Sequence, residues 1–270
     1  MVNSDLTVVC ENILTAPAQH LKRNLPSDIL STITVPLRRY HRYRIRLLTL
    51  IHSNKSHSAG LRPFDLYWIN PDRIKHKTTS DTYRQYAGKH FSTIDAGPLE
   101  YRPVTDMSIF QAIHERFRND IPWKETSLYQ SIRSNLRNNS SWSRWGCESL
   151  DEFQERFKYI EEIHDSIKTD GYKTHRELIN EGVVITRYPP EVYEITVFID
   201  EDGTFILHEG RHRFSIARAL ELDVVPARIM VRHEQWQKLR ELAVSADNPE
   251  DHPLLAEHIE HPDIQSLLDS

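Results

Sequence analysis

The chain has 270 residues and a formal net charge of −5, with 39% hydrophobic and 27% charged residues. This mild negative balance excludes a strongly basic protein that binds nucleic acid through its overall charge. The two cysteines, Cys10 and Cys147, are too far apart to form a metal-binding pair, which favours a reducing compartment. No apolar run reaches the length of a membrane-spanning helix and the N-terminus lacks a secretory pattern, so we expect a cytoplasmic protein with no membrane span.

Residues 1–60 are predicted to form a helical N-terminal segment, punctuated by Pro17, Pro26 and Pro36. Five arginines alternate there with tyrosine, leucine and isoleucine: Arg38, Arg39, Arg42, Arg44 and Arg46. This basic amphipathic pattern is typical of a surface that contacts nucleic acid, an acidic protein partner or an anionic membrane. It also fits a docked helix whose arginines are solvated or paired, and we favour this second interpretation because charge runs usually mark solvated faces.

Residues 65–245 are predicted to form the main domain, with a helical insertion at about 75–150. Residues 75–97 show no clear hydrophobic period, but the apolar residues after them fall on the faces of two predicted helices. The apolar residues of these faces are Met107, Phe110, Ile113 and Phe117, and then Leu128, Ile132 and Leu136. They predict an inserted helical hairpin. Trp142 and Trp145 after it would suit a base-stacking platform, but buried packing is the commoner role of tryptophan at such spacing.

A capping box begins the next predicted helix, because Ser149 is followed three residues later by Glu152. The apolar face of this helix is formed by Phe153, Phe157, Ile160, His164 and Ile167. Gly171 is a suitable C-cap, so we expect the helix to end there. Residues 246–270 are predicted to be a C-terminal tail without a helix-turn-helix.

Residues 195–233 predict a strand, a turn, a second strand, a charged corner, a helix and a third strand. The signs are alternating apolar residues at Ile195, Val197 and Ile199, the turn Asp202-Gly203, and helical spacing of Phe214, Ala217 and Leu220. Five residues, Glu209-Gly210-Arg211-His212-Arg213, therefore lie where a strand gives way to a helix. We expect the helix to pack against the hairpin.

This corner predicts an anion site, because the first amides of a helix lack partners and carry partial positive charge. We predict Gly210, Arg211 and Arg213 as phosphate ligands, with Glu209 and His212 as catalytic residues. Lys168 and Arg187 are auxiliary candidates for phosphate contact, although surface solvation is the commoner role of such residues. The alternative is a surface corner whose arginines pair with nearby carboxylates.

The corner resembles the ParB/sulfiredoxin-like fold, most clearly over residues 151–236, while residues 65–72 are similar to the opening strand of that fold. The resemblance implies an α+β fold, in which helices pack on a small mixed sheet, and nucleotide phosphates bound at the corner. Sulfiredoxins carry Gly-Cys-His-Arg there, and Arg211 takes the place of the reactive cysteine. Partition proteins carry Gly-Glu-Arg-Arg. The closest motif is Asp-Gly-His-His-Arg of the free-serine-kinase branch, which Gly210, His212 and Arg213 match, with Glu209 at the aspartate.

Two functions follow from the resemblance and the corner together. The first is an enzyme that binds ATP, ADP or CTP and transfers or hydrolyses a terminal phosphate, with Mg²⁺ only as a companion of the nucleotide. The second is a non-catalytic regulatory module that binds a nucleotide or DNA. We predict no separate metal site, because the spacing of His208, His212 and His233 matches no zinc pattern.

Overall fold

The computed structural model describes residues 27–53, 58–139 and 142–269, so that residues 1–26 of the predicted N-terminal segment, with Cys10, lie outside it. In this part of the chain the helices are α1 (Ser27–His52), α2 (Ser80–Tyr86), α3 (Ser108–Phe117), α4 (Ser127–Asn138), α5 (Leu150–Asp170), α6 (His175–Asn180), α7 (Arg211–Ala219), α8 (Glu234–Ser245) and α9 (Pro262–Leu268). The strands are β1 (Tyr67–Ile69), β2 (His76–Thr78), β3 (Thr93–Asp95), β4 (Tyr101–Pro103), β5 (Ile195–Ile199), β6 (Phe205–Glu209) and β7 (Val225–His233). None of the described helices is long and apolar enough to cross a membrane.

One mixed sheet contains all seven of these strands, in the order β1-β7-β5-β6-β2-β4, with β3 also paired to β7. Parallel pairs join β5 to β7, β2 to β6 and β3 to β7, and the remaining pairs are antiparallel. The described chain is thus a mixed α and β structure, which confirms the predicted class at that level. The more specific ParB-like architecture stays a prediction.

The predicted hairpin of β5 and β6 is confirmed, and it lies at the centre of the sheet. The turn between its strands contains Gly203, which has a φ of 86° and packs against the ring of Trp236. Every residue of β5 and nearly all of β6 is buried. Phe214 and Ala217 of α7 are fully buried as well, while Leu220 beyond the helix is partly buried. This burial fixes the helix beside the strands.

The helix α5 is confirmed from its capping box to its C-cap. Ser149 and Glu152 bond reciprocally at its start, and Gly171 ends it with a φ of 80°. Its five predicted apolar-face residues are all buried. Trp142 stacks on Phe153 with ring centroids 5.8 Å apart, so this tryptophan packs against the core.

The helices α3 and α4 supply the two predicted helical faces, but the rest of the range 75–150 differs from expectation. Strands β2, β3 and β4 lie within it and belong to the main sheet. Each is three residues long, too short to show an alternating pattern in the sequence. The helical insertion therefore reduces to α3, α4 and their connections.

The N-terminal helix α1 runs without a break through Pro36, where the sequence predicted an interruption. One face of it is buried, and this packing offsets the backbone hydrogen bond that a proline cannot donate. The buried residues of that face are Thr34, His41, Ile45 and Thr49. Arg42 pairs with Glu191 at 2.8 Å, whereas Arg39, Arg44 and Arg46 are exposed. The helix is thus docked, with part of its positive charge left on the surface.

The C-terminal segment is anchored through Asp263 of α9. This carboxylate is fully buried, and it accepts hydrogen bonds from Arg232 at 2.6 and 2.8 Å and from Trp236 at 2.9 Å. Arg240 lies 3.2 Å from the same carboxylate. The predicted tail therefore contributes a charged group to the interior of the protein.

Candidate functional site

Gly210 is the N-cap of α7 and forms the strand-to-helix corner that the sequence predicts. Its φ of 81° lies in the left-handed region, where a side chain is strained. A Cβ atom here would come within 2.8 Å of the Cα of Ile195. Both the backbone conformation and the close approach of β5 therefore require glycine, and together they expose the start of the helix.

A cavity of about 490 Å³ opens at this corner, and all five predicted residues, Glu209 to Arg213, line it. Distant parts of the chain supply three further cations: Lys77 from β2, Arg144 from the loop before α5, and Arg156 from α5. Sequence reasoning missed these three residues. No local motif marks any of the three as a ligand of the corner, and only the fold brings them there.

Arg211 lies among these cations without a carboxylate partner in the described chain. Its guanidinium stacks on the ring of Tyr83, 4.6 Å from the ring centroid. Burial, and then the charge of Arg211, lowers the pKa of Lys77 and likewise that of Arg144. Like charges thus repel one another here, which favours a bound anion in the cavity.

Lys77, Arg144 and Arg156 also lack an ion pair with any described residue. Arg144 donates to Ser108 Oγ at 2.8 Å and stacks on Trp145, while Arg156 donates to the carbonyl oxygen of Trp145 at 3.2 Å. These contacts orient the guanidinium groups but do not neutralise them. An anion would supply the missing negative charge.

Glu209 accepts a hydrogen bond from the hydroxyl of Tyr83, with an O···O distance of 2.8 Å. Burial and this bond raise the pKa of Tyr83 to about 12, so that the phenol stays protonated as a donor at neutral pH. Asp106, which the sequence did not single out, is a second carboxylate at the cavity wall. Two acidic side chains therefore share the cavity with the cations.

His212 is held neutral beside the cavity. Burial, followed by the charges of Arg156, Arg144 and Arg211, lowers its pKa to about 4. Its ring packs edge-on against Trp145, 5.1 Å between centroids, and its Nε2 has no hydrogen-bond partner in the described chain. A neutral imidazole at this place can accept or donate one hydrogen bond to a ligand.

Arg213 differs from the other predicted phosphate ligands because protein groups already occupy its guanidinium. It pairs with the buried carboxylate of Glu194 at 2.9 Å, contacts His175 Nδ1 at 2.8 Å and donates to the carbonyl oxygen of Lys173. Its guanidinium also lies 4.0 Å from the ring centroid of Tyr172. Arg213 therefore has the role of the alternative interpretation, in which an arginine of the corner pairs with a nearby carboxylate. Its contacts hold the corner in place.

Lys168 and Arg187, the auxiliary candidates, do not line the cavity. Lys168 is exposed on α5. Arg187 donates to the hydroxyl of Tyr188 at 2.7 Å and stacks on the same ring. Lys77, Arg144 and Arg156, which do line it, are the stronger candidates for phosphate contact.

Comparisons of the chain with protein-family models, with curated proteins and with solved structures gave no match. Within the described residues, no group of three histidine, cysteine, aspartate or glutamate side chains is placed to hold a metal ion.

Proposed function

We propose that the cavity binds a nucleotide by its phosphates and that Glu209 takes part in transfer or hydrolysis of the terminal phosphate. The observation that carries this proposal is the set of four cations without ion pairs, Lys77, Arg144, Arg156 and Arg211, around the start of α7. Against them stand two carboxylates, Glu209 and Asp106, which leaves a net charge of four minus two, or +2. A polyphosphate would compensate this excess.

The size and lining of the cavity fit a nucleotide better than a bare phosphate ion. A volume of about 490 Å³ lies within the usual range of small-molecule sites, about 300–1,000 Å³. Aromatic side chains also line it, namely Trp145, Tyr159 and Tyr193. Such rings offer surfaces for a base or a sugar beside the cations that would hold the phosphates.

In the proposed reaction an acceptor hydroxyl or a water molecule attacks the terminal phosphorus. The new oxygen–phosphorus bond forms as the bond to the bridging oxygen breaks, and the shortened nucleotide leaves with that oxygen. Glu209 takes the proton of the attacking oxygen, and the cations stabilise the charge on the transferred group. Magnesium would coordinate phosphate oxygens together with Glu209 or Asp106, because it prefers oxygen ligands.

Of the two functions that the sequence predicts, the corner motif favours the enzyme. Glu209, Gly210, His212 and Arg213 resemble the free-serine-kinase branch of the ParB/sulfiredoxin-like fold, which favours phosphoryl transfer. A cytoplasmic location, where nucleotides are available, is part of the same proposal.

A second candidate is a non-catalytic module that binds a nucleotide or DNA. The hydrogen bond from Tyr83 to Glu209 favours it, because the carboxylate is then a fixed part of the cavity wall. The exposed Arg39, Arg44 and Arg46 would give such a module a surface for nucleic acid or an acidic protein partner. Turnover of a bound nucleotide separates the two candidates.

Thermal unfolding with ATP, ADP, CTP or GTP, each with and without Mg²⁺, tests the proposal. A nucleotide present at a hundred times its dissociation constant should add about 2.7 kcal/mol to the free energy of unfolding. We expect at least one of the four to stabilise the protein, and inorganic phosphate alone to do so much less. Equal effects of phosphate and of all four nucleotides would contradict a nucleotide site.

A further inference from the structure

A second cavity, of about 250 Å³, lies where α1 meets α6 and the turn Pro190–Tyr193. Its charged lining consists of four arginines: Arg38, Arg39, Arg42 and Arg176. None of its lining residues is shared with the cavity at the corner. It is therefore a separate feature of the protein.

The charge of this cavity is largely uncompensated. The carboxylate of Glu191 does not line the cavity but pairs with two of its arginines, Arg42 at 2.8 Å and Arg176, and its side chain is only 5% exposed. Arg38 and Arg39 make no ion pair with any described residue. Four guanidinium groups minus one carboxylate leave a net charge of +3, held close together. Such a concentration of charge is costly unless an anion joins it.

The rest of the cavity wall is formed by the polar Asn180 and by four apolar residues, Val35, Ile179, Pro189 and Pro190. Guanidinium groups bind phosphate oxygens through paired, planar hydrogen bonds. The volume of about 250 Å³ lies below the usual range for drug-sized ligands, about 300–1,000 Å³. The cavity thus has the size of a small multivalent anion.

We propose that this cavity is a second anion site, which binds a small molecule through a group with two or more phosphate charges. Three of the four arginines, Arg38, Arg39 and Arg42, belong to α1, while Arg176 belongs to α6. A bound anion would therefore tie the N-terminal helix to the body of the protein. It would also act next to the corner, because His175, the neighbour of Arg176, lines the first cavity.

Calorimetric titration with pyrophosphate tests this site. The full chain carrying both Arg156→Ala and Arg211→Ala serves as the starting protein, because these changes remove two cations from the first cavity. We expect pyrophosphate to bind this protein with one site. Adding Arg39→Gln and Arg176→Gln should weaken that binding at least about tenfold, since each removes a charged donor at an exposed position.

Arg44→Gln is the matched control, because Arg44 is an exposed arginine of the same helix that does not line the cavity. It should change the affinity less than about twofold, the small effect expected of a screened surface charge. An equal loss in Arg44→Gln would show non-specific attraction and overturn the proposal. The absence of pyrophosphate binding would also overturn it. The same holds if duplex DNA binds and pyrophosphate does not displace it. None of these outcomes depends on whether a nucleotide binds at the corner.

Discussion

The hydroxyl of Tyr83 donates a hydrogen bond to Glu209 Oε1 at 2.8 Å and so joins two residues that are 126 positions apart in the chain. The face of the same ring receives the guanidinium of Arg211. One tyrosine from α2 therefore orients both a carboxylate and a cation of the corner. This relationship connects the short strands and helix of residues 76–95 with the strand-to-helix corner.

Replacing Glu209 by glutamine should separate chemistry from binding. Glu209→Gln keeps the side-chain shape and an acceptor for Tyr83 but removes the charge. If Glu209 takes a proton, turnover of the nucleotide should fall roughly 10²–10⁴-fold, the usual scale for a general base, while the dissociation constant changes little. Steady-state kinetics together with calorimetric binding measure the two effects. Asp106→Asn is the control, because it removes one negative charge from the cavity wall and leaves the hydrogen bond between Tyr83 and Glu209 in place. Unchanged turnover in Glu209→Gln would favour the binding module.

Removing Arg213 should destabilise the protein. Arg213→Ala leaves the carboxylate of Glu194, only 1% exposed, without its cation, and breaking such a buried pair costs about 3–5 kcal/mol. Arg211→Ala is the control from the same turn of the helix. It has no carboxylate partner in the described chain, so the free energy of unfolding should change by less than about 1 kcal/mol. Urea unfolding measures both values, and equal stabilities would refute the structural role of Arg213.

Substitution of Gly210 tests the geometry of the corner. Gly210→Ala adds the strain of a positive φ to a contact of 2.8 Å with the backbone of Ile195, and we expect a loss of at least about 2 kcal/mol. Gly182 has a similar φ of 69° but open space around it. Gly182→Ala should therefore show the strain alone, about 1 kcal/mol. Similar losses in both variants would mean that β5 does not press against the corner.

Local sequence signals predicted the parts of the fold that arise from neighbouring residues. The capping box of Ser149 and Glu152, the C-cap at Gly171 and the hairpin before Gly210 each have their cause within a few positions, and the structure confirms them. The order of the strands in the sheet has no such local cause. Strands β2 and β3 pair with strands far away in the chain, and β4 pairs with β2; this pairing overrides their weak local pattern.

The candidate site could be predicted only in part for the same reason. The sequence located the corner, but it could not show that Glu194 pairs with Arg213. Nor could it show that Lys77 and Arg156 line the same cavity as Arg211. Ion pairs between residues far apart in the chain depend on tertiary packing. A basic residue in a sequence therefore indicates charge, whereas the structure decides whether that charge is available to a ligand.

Acid should destabilise the protein because buried histidines are held neutral. Burial, the largest cause, lowers the pKa of His208 to about 3 and that of His261 to about 4, against about 6.5 in an unfolded chain. Between these values the unfolded state binds more protons, so stability is complete above about pH 6.5 and falls as the pH decreases. Each histidine should remove about 1.4 kcal/mol per pH unit in that window.

Urea unfolding at pH 7.5, 6.0 and 5.0 measures this loss. In the folded protein His261 accepts from the amide of Asp263 through Nδ1 and contacts the carbonyl oxygen of Gly203 through Nε2, so that protonation of Nδ1 would break the first bond. His261→Gln, which does not titrate, should reduce the pH dependence by about one proton. A free energy of unfolding that stays constant from pH 7.5 to 5.0 would exclude this account of the buried histidines.

The nucleotide that stabilises the protein most should be titrated calorimetrically into the wild type and three variants. Arg156→Ala and Arg211→Ala each remove a charge-assisted bond to phosphate, worth about 1.5–3 kcal/mol, so the affinity should fall roughly ten- to a hundredfold. Lys158→Ala removes an exposed charge from α5 outside the cavity and should leave the affinity within about twofold. Equal affinities in all four proteins, or equal losses in all three variants, would contradict a phosphate site at the corner.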